Sequence, residues 1–313
     1  MTVVKPTEAN IEKAATTLSG GGVVAFATET VYGLGCDTFN TEAIEKVYQM
    51  KGRPINNPMI AHVLDVSWVH GLTNNWNDKC DLLASKFWPG PLTLILSKSD
   101  SVPRAACGGH DTIAIRCPSH PVSRKLLESF GGPISAPSAN LSGHISPTTA
   151  THVDDDFLGR VQVIDGGSCG LGIESTILSM VNEPNILRLG SVSVKELESE
   201  LGSLLVTVPT TQINAPGTAI RHYAPSTKVK LVSSEFVSTH KNKNNAVICV
   251  HGNPIQALKV FQMSSNPTEY ARNMYEVLRS ADAVGAGEIV IEKPGESPGW
   301  DAVNDRLIRC SSD

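Results

Sequence analysis

Residues 23–35 read VVAFATETVYGLG, and the fold is decided there. Residues 23–28 are an apolar run of strand length behind three glycines, Gly20 to Gly22, which reads as a buried strand. The run delivers the hydroxyls of Thr28 and Thr30 at its C-terminal end, where open α/β sheets place ligands. Gly33-Leu34-Gly35 lacks the third glycine of a dinucleotide fingerprint and reads as a tight turn. Helical patterns flank the run. Thr7 caps one through Leu18, with Ile11, Ala14, Ala15 and Leu18 on one face. Residues 41–51 form the other, with Ala43, Ile44, Val47 and Tyr48 as the apolar stripe, Gly52 just past its end and Pro54 beyond.

The same alternation continues outward. Residues 92–97 and 112–117 are strand-like, and Pro121 opens a helix that Gly131-Gly132 ends. Residues 134–137, 161–165, 175–181 and 186–189 are further short β runs, and 194–201 is a short helix. Many short strands between helices imply an α/β domain over residues 1–202 with an open, twisted, mixed sheet. Residues 203–220 carry no charge and have no clear period, so 203–226 reads as a linker lying along the first domain. Residues 227–313 give a second, smaller α/β pattern of Rossmann-like type. Its strands are 228–233, 246–251 and 288–292; its helices are 255–263 and 267–282, the latter capped by Asn266 with Pro267 first. Lys241 and Lys243 read as solvated loop charges.

The chain has 313 residues, 41% apolar and 18% charged, which suits about two globular domains and not a disordered chain. A net charge of −5 excludes a generically basic nucleic-acid or membrane-surface binder. The balance is −6 over residues 1–202 and +1 over 203–313. No apolar run is long enough to span a membrane and the N-terminus does not read as a signal peptide, so a cytoplasmic protein is expected. Seven scattered cysteines with no C-x-x-C pair read as small buried hydrophobes in a reducing compartment. Nor is there an H-E-x-x-H, and no metal cage of protein side chains alone is expected. Asp154-Asp155-Asp156 reads as a solvated loop or helix start.

Two enzyme classes drop out. A Walker P-loop is missing. Gly166 to Gly170 matches G-x-S-x-G, but glycine-rich loop and strand follow it where a nucleophile elbow needs a helix. Four polar segments remain, each at the end of an element: Thr28 to Gly35; Lys51-Gly52-Arg53-Pro54 with Asn57 and His62; Thr112 to Arg116; and Ala136 to Gly143 with Ser146 to Thr148. Thr112 and Arg116 share one strand face, and an arginine in so apolar a run needs an anionic partner. Together the segments supply fixed cations, hydroxyls and backbone donors with no evident nucleophile. Phosphate-transfer chemistry needs that kind of positioning and charge neutralisation.

These segments resemble the YrdC/Sua5 family. The likeness rests on 28–35, 51–58, Phe87-Trp-Pro-Gly-Pro-Leu-Thr93, 112–118, 136–148, Glu174-Ser-Thr176 and Ile186-Leu-Arg188, with Arg221-His-Tyr-Ala-Pro225 resembling the linker hallmark of the two-domain Sua5 branch. It thins over 227–313, where only the layout and Asp305-Arg306-Leu307 match. The resemblance implies an L-threonylcarbamoyladenylate synthase. Such an enzyme joins L-threonine, bicarbonate and ATP, releases pyrophosphate, and hands its product to a separate transferase for the t6A modification of tRNA.

By resemblance, Thr30, His62, Arg116, Ala136 and Ser175 match threonine-binding positions, with Arg116 facing the carboxylate. Arg53, Asn57, Thr112, Ser138, Asn140, Ser146, Arg188 and Tyr223 match nucleotide positions, and Lys51 with Arg53 forms the pair that neutralises phosphate. The implied Mg²⁺ arrives with ATP and is held by substrate and water, not by a protein metal site. The linker reads as a lid that brings Tyr223 to the nucleotide. Alternatives are an RNA-binding module in the same cavity, with weak RNA binding also possible beside catalysis, and a carbamoyl-transfer relative. The acidic first domain weighs against the former and the missing C-x-x-C against the latter.

Overall fold

A computed structural model describes residues 2–206, 216–217, 222–297 and 299–312. Eleven strands form one mixed sheet: β1 (Val3–Val4), β2 (Val24–Phe26), β3 (Gly33–Asp37), β4 (Ile60–His62), β5 (Leu92–Ser97), β6 (Thr112–Arg116), β7 (Ile134–Ala136), β8 (Gln162–Ile164), β9 (Thr176–Ser179), β10 (Asn185–Arg188) and β11 (Leu205–Val206). Their order is β1-β8-β2-β3-β7-β4-β6-β5-β9-β10-β11. The helices with it are α1 (Glu8–Ser19), α2 (Thr41–Lys51), α3 (Asp78–Phe87), α4 (Pro121–Phe130), α5 (Ala150–Phe157) and α6 (Val194–Leu201).

Local chemistry sets the helix ends. The Thr7 hydroxyl accepts the Asn10 N–H at the start of α1, and the Asn40 side chain does the same for Ala43 at α2. Gly52 closes α2 in the left-handed conformation, φ 60°. Period two sorts the central strands. Leu92, Leu94, Leu96, Ile113 and Ile115 point into the main core, each removed from water at roughly 1.5–3 kcal/mol. The opposite face carries Ile60, Ile95, Ala114 and Ile177 as a small apolar cluster, and on it the polar side chains Thr93, His62 and Arg116. That face holds the candidate site.

Gly33 to Gly35 is not a turn but lies within strand β3, paired antiparallel with β2. Glycine is needed at 35 for packing: a Cβ there would meet the Phe26 ring at 2.6 Å and the Ile134 side chain at 2.7 Å. Asp154 to Asp156 fall in the last turns of α5, where Asp154 accepts the Thr2 hydroxyl at 2.6 Å.

The residues fall into two compact units: 1–142, 147–170 and 174–218 in the first, and 143–146, 171–173 and 219–313 in the second. Most of the expected linker 203–226 lies outside the described residues. The second unit has a four-stranded parallel sheet in the order β12-β15-β13-β14, from β12 (Val229–Val232), β13 (Lys241–Cys249), β14 (Gln256–Gln262) and β15 (Glu288–Glu292). Helices α7 (Ser234–Thr239), α8 (Pro267–Asp282) and α9 (Asp301–Ser311) complete it. Residues 255–263, expected as a helix, are strand β14 instead. As an edge strand it leaves side chains of both faces in solvent, so its pattern carries neither period cleanly, and parallel pairing with β13 decides its state. Lys241 and Lys243 are exposed as expected, on the first residues of β13 and not on a loop. At the C-terminal end of this sheet the buried Glu292 carboxylate accepts the N–H groups of Val250 at 2.8 Å and Gly252 at 2.9 Å, with His251 at 3.1 Å. Among the described residues no helix is long and apolar enough to cross a membrane.

Candidate active site

Strand β6 places Arg116 at its C-terminal end, with His62 of β4 beside it in register and Ile134 of β7 next to His62. The Arg116 side chain is 3% exposed. Its Nη1 donates to the Thr30 hydroxyl at 2.8 Å and its Nε to the Gly90 carbonyl at 3.2 Å. The anionic partner demanded by the sequence is Glu29, whose Oε1 lies 2.7 Å from Nη2. This pair is not aligned as a hydrogen bond, and neither atom has another hydrogen-bond partner. Burial opposes the charged form of Glu29, but Arg116 and the Ser119 N–H outweigh it and hold the carboxyl below its ordinary value. Thr30 is tied to Thr28 at 2.9 Å, so the strand end presents a fixed hydroxyl pair.

His62 is buried, edge-on to Phe26, with Nδ1 3.0 Å from the Ile60 carbonyl. That carbonyl takes the Nδ1 proton and leaves Nε2 as an acceptor. Burial first, and the Arg116 charge second, push the imidazole down to about 4, so it is neutral at pH 7. Ala136 of β7 lies directly opposite Ile60.

A second cluster forms at the end of α2. Lys51 is 2% exposed, and its Nζ donates to the Ser138 carbonyl at 2.6 Å and to the Asn140 carbonyl. Burial, and then the neighbouring Arg53 charge, push Lys51 well below its ordinary value. Arg53 donates from Nη2 to the Asn57 side chain at 2.6 Å and to the Pro58 carbonyl at 2.7 Å. Thr112, half-buried, lies at the other end of β6 from Arg116, roughly 13 Å along the strand. A third cluster joins Ser175 to Arg188. The guanidinium donates to the Ser175 carbonyl at 2.9 Å and hydroxyl at 3.1 Å, and that hydroxyl is 2.7 Å from Thr93.

Thus Thr30 and Arg116 meet directly, as do Lys51 with the 138–140 segment, Arg53 with Asn57, and Ser175 with Arg188. Ser146 and Tyr223 belong to the second unit and are described within it. Tyr223 is buried at φ 59°, its ring 4.1 Å from His222 and 5.8 Å from Tyr275, with Arg306 5.0 Å above it. Glu29 and Thr93 were not singled out from the sequence. For Glu29 the signal was present, since a buried arginine requires a carboxylate. No helix follows Gly166 to Gly170; strand β9 comes next. Among the described residues no three His, Cys, Asp or Glu side chains are grouped to hold a metal ion.

Two family models match the chain. Residues 16–190 match Sua5/YciO/YrdC, described as telomere recombination, and residues 192–312 match the C-terminal domain of threonylcarbamoyl-AMP synthase. The chain belongs to the Sua5 family. Threonylcarbamoyl-AMP synthase of Pyrococcus abyssi is similar to this Sua5-family chain at 38% identity over 323 residues, covering 97% of the chain and 94% of the relative. The Schizosaccharomyces pombe enzyme of that name is 32% identical, covering 92% and 85%. Among solved structures, P. abyssi Sua5 complexed with L-threonine superposes with a TM-score of 0.93 at 36% identity, covering 99% of this chain and 98% of that one.

Proposed function

We propose that the chain is a threonylcarbamoyl-AMP synthase: L-threonine, bicarbonate and ATP give threonylcarbamoyl-AMP, pyrophosphate and water. The observation that carries this reading is the set of buried cations, Lys51, Arg53, Arg116 and Arg188, each donating to carbonyl, amide or hydroxyl oxygens of the site segments, with Glu29 beside Arg116. Cations buried on carbonyls and hydroxyls are poised for an anionic ligand.

In this reading Arg116 takes the threonine carboxylate, and Thr30, the neutral His62, Ser175 and the backbone of Ala136 frame the rest of the amino acid. Lys51 and Arg53 neutralise the phosphates, while Asn57, Thr112, Ser138, Asn140, Ser146, Arg188 and Tyr223 serve the nucleotide. ATP enters as its magnesium complex, with substrate and water as the metal's ligands. The threonine amine and bicarbonate give a carbamate with loss of water. A carbamate oxygen then bonds the α-phosphorus as the bond to the β-bridging oxygen breaks and pyrophosphate leaves. Lys51 and Arg53 counter the charge on that leaving group. Segment 203–226 is proposed as the lid that excludes water during the step. Seven free, buried cysteines support a reducing, cytoplasmic setting. The product then passes to a transferase acting on tRNA.

The test is pyrophosphate release from ATP with L-threonine and bicarbonate omitted in turn. Release that requires both supports the reading; ATP turnover indifferent to threonine overturns it.

A further inference from the structure

Glu29 is the carboxylate that faces Arg116, and the proposed reaction has not used it. Its carboxylate is tethered by the Ser119 N–H through Oε2 at 3.2 Å, which leaves Oε1 aimed at Arg116. Arg116 is restrained on two sides, by Thr30 on Nη1 and Gly90 on Nε. Nη1 therefore keeps one N–H, and Nη2 keeps its own, because its approach to Glu29 is not hydrogen-bond aligned. The buried Nη1–Nη2 end of the guanidinium thus keeps unused N–H groups on two adjacent nitrogens, the donor pair that a bidentate carboxylate takes.

The histidines and the cysteine nearest the pair are uncharged at pH 7. Burial drives His62 down to about 4, lowers His120, and raises Cys169 to about 12. Arg116 and Glu29 thus set a positive beside a negative charge, the complement of a zwitterion. The amino nitrogen and carboxylate oxygens of an α-amino acid are about 3 Å apart, comparable with the 2.7 Å between Glu29 Oε1 and Arg116 Nη2.

Resting on the proposed function, we infer that Glu29 is the ammonium-recognition residue of the amino-acid site. The substrate carboxylate takes the Nη1–Nη2 end of Arg116, its ammonium takes Glu29 Oε1, and four alternating charges replace the misaligned pair. This assigns a specificity role: the site selects a zwitterionic amino acid over the corresponding hydroxy acid. It also bears on the order of events. Once the ammonium gives a proton to solvent, its nitrogen bonds the bicarbonate carbon with loss of water; the resulting carbamate anion is no longer attracted by Glu29, so the reacting end is released toward the phosphate-binding cations.

The test is calorimetric titration of the full chain with L-threonine and with 2,3-dihydroxybutanoate, which has a hydroxyl in place of the amine. Wild-type protein is expected to bind threonine at least tenfold more tightly than the hydroxy acid. Glu29→Gln keeps the side-chain shape and is expected to weaken threonine about 10- to 100-fold, the loss of one charge-assisted hydrogen bond, without weakening the hydroxy acid. Glu29→Asp should recover part of the threonine affinity. Equal losses for both ligands in Glu29→Gln, or unchanged threonine affinity, would overturn the inference and leave the proposed function standing. Wild-type protein with no threonine affinity would overturn both. Should Glu29→Gln not fold, the wild-type comparison still decides, because equal affinity for the two ligands contradicts zwitterion selection.

Discussion

Lys51→Met separates what the site gives to catalysis from what it gives to stability. Methionine keeps most of the shape and apolar stem of Lys51 and removes its charge. Two carbonyls, of Ser138 and Asn140, lose a donor, at about 1–3 kcal/mol each. Against this, the folded state no longer buries an ammonium with 2% exposure, which costs several kcal/mol per ion. The terms oppose, and stability should stay within about 2 kcal/mol of wild type. Activity has no such offset. Nζ has three N–H groups, of which two face carbonyls, so the third is the one to meet phosphate. Losing such a preorganised donor costs about 10²–10³ in rate. The assays are urea denaturation and pyrophosphate release at saturating threonine. A variant that unfolds would make Lys51 a structural tie, and one that retains activity within threefold would remove it from the chemistry.

Three further outcomes are expected. Gly35→Ala, whose Cβ would meet Phe26 at 2.6 Å and Ile134 at 2.7 Å, should lose about 1–3 kcal/mol by thermal or urea unfolding. His62 is held down at about 4 against an ordinary 6.5, so its share of stability is complete above pH 6.5 and is lost as pH falls toward 4. That share is about 3 kcal/mol, and the stability gap between wild type and His62→Gln should shrink over that window; parallel profiles would contradict the assignment. Tyr223→Ala should raise KM for ATP while leaving threonine affinity within twofold, measured by initial rates and calorimetry; an unchanged KM would remove the lid role.

The sequence made some of this plain and hid the rest for physical reasons. Capping residues and 3.6-residue stripes located α1, α2, α4 and α8, because local chemistry decides those elements. Arg116 stood out since a charge in a β run is costly and must have a purpose. Strands β3 and β4 were not read as strands: β3 holds two glycines, of which Gly35 admits the Phe26 ring, and β4 has only three residues. The second unit's β14 was misread because an edge strand with both faces wet has neither helical nor β periodicity. Glu29 sits in a quoted motif, yet its pairing with Arg116 joins the segment after β2 to the end of β6, and spacing does not reveal that sheet order.

The central claim is that this site joins a carbamate of threonine to the α-phosphate of ATP. Its most direct test is mass spectrometry of the product formed from isotope-labelled bicarbonate, L-threonine and ATP. The account predicts threonylcarbamoyl-AMP carrying the label, with pyrophosphate in equal amount and none formed from L-serine at a comparable rate. AMP or ADP without a labelled adduct would contradict it.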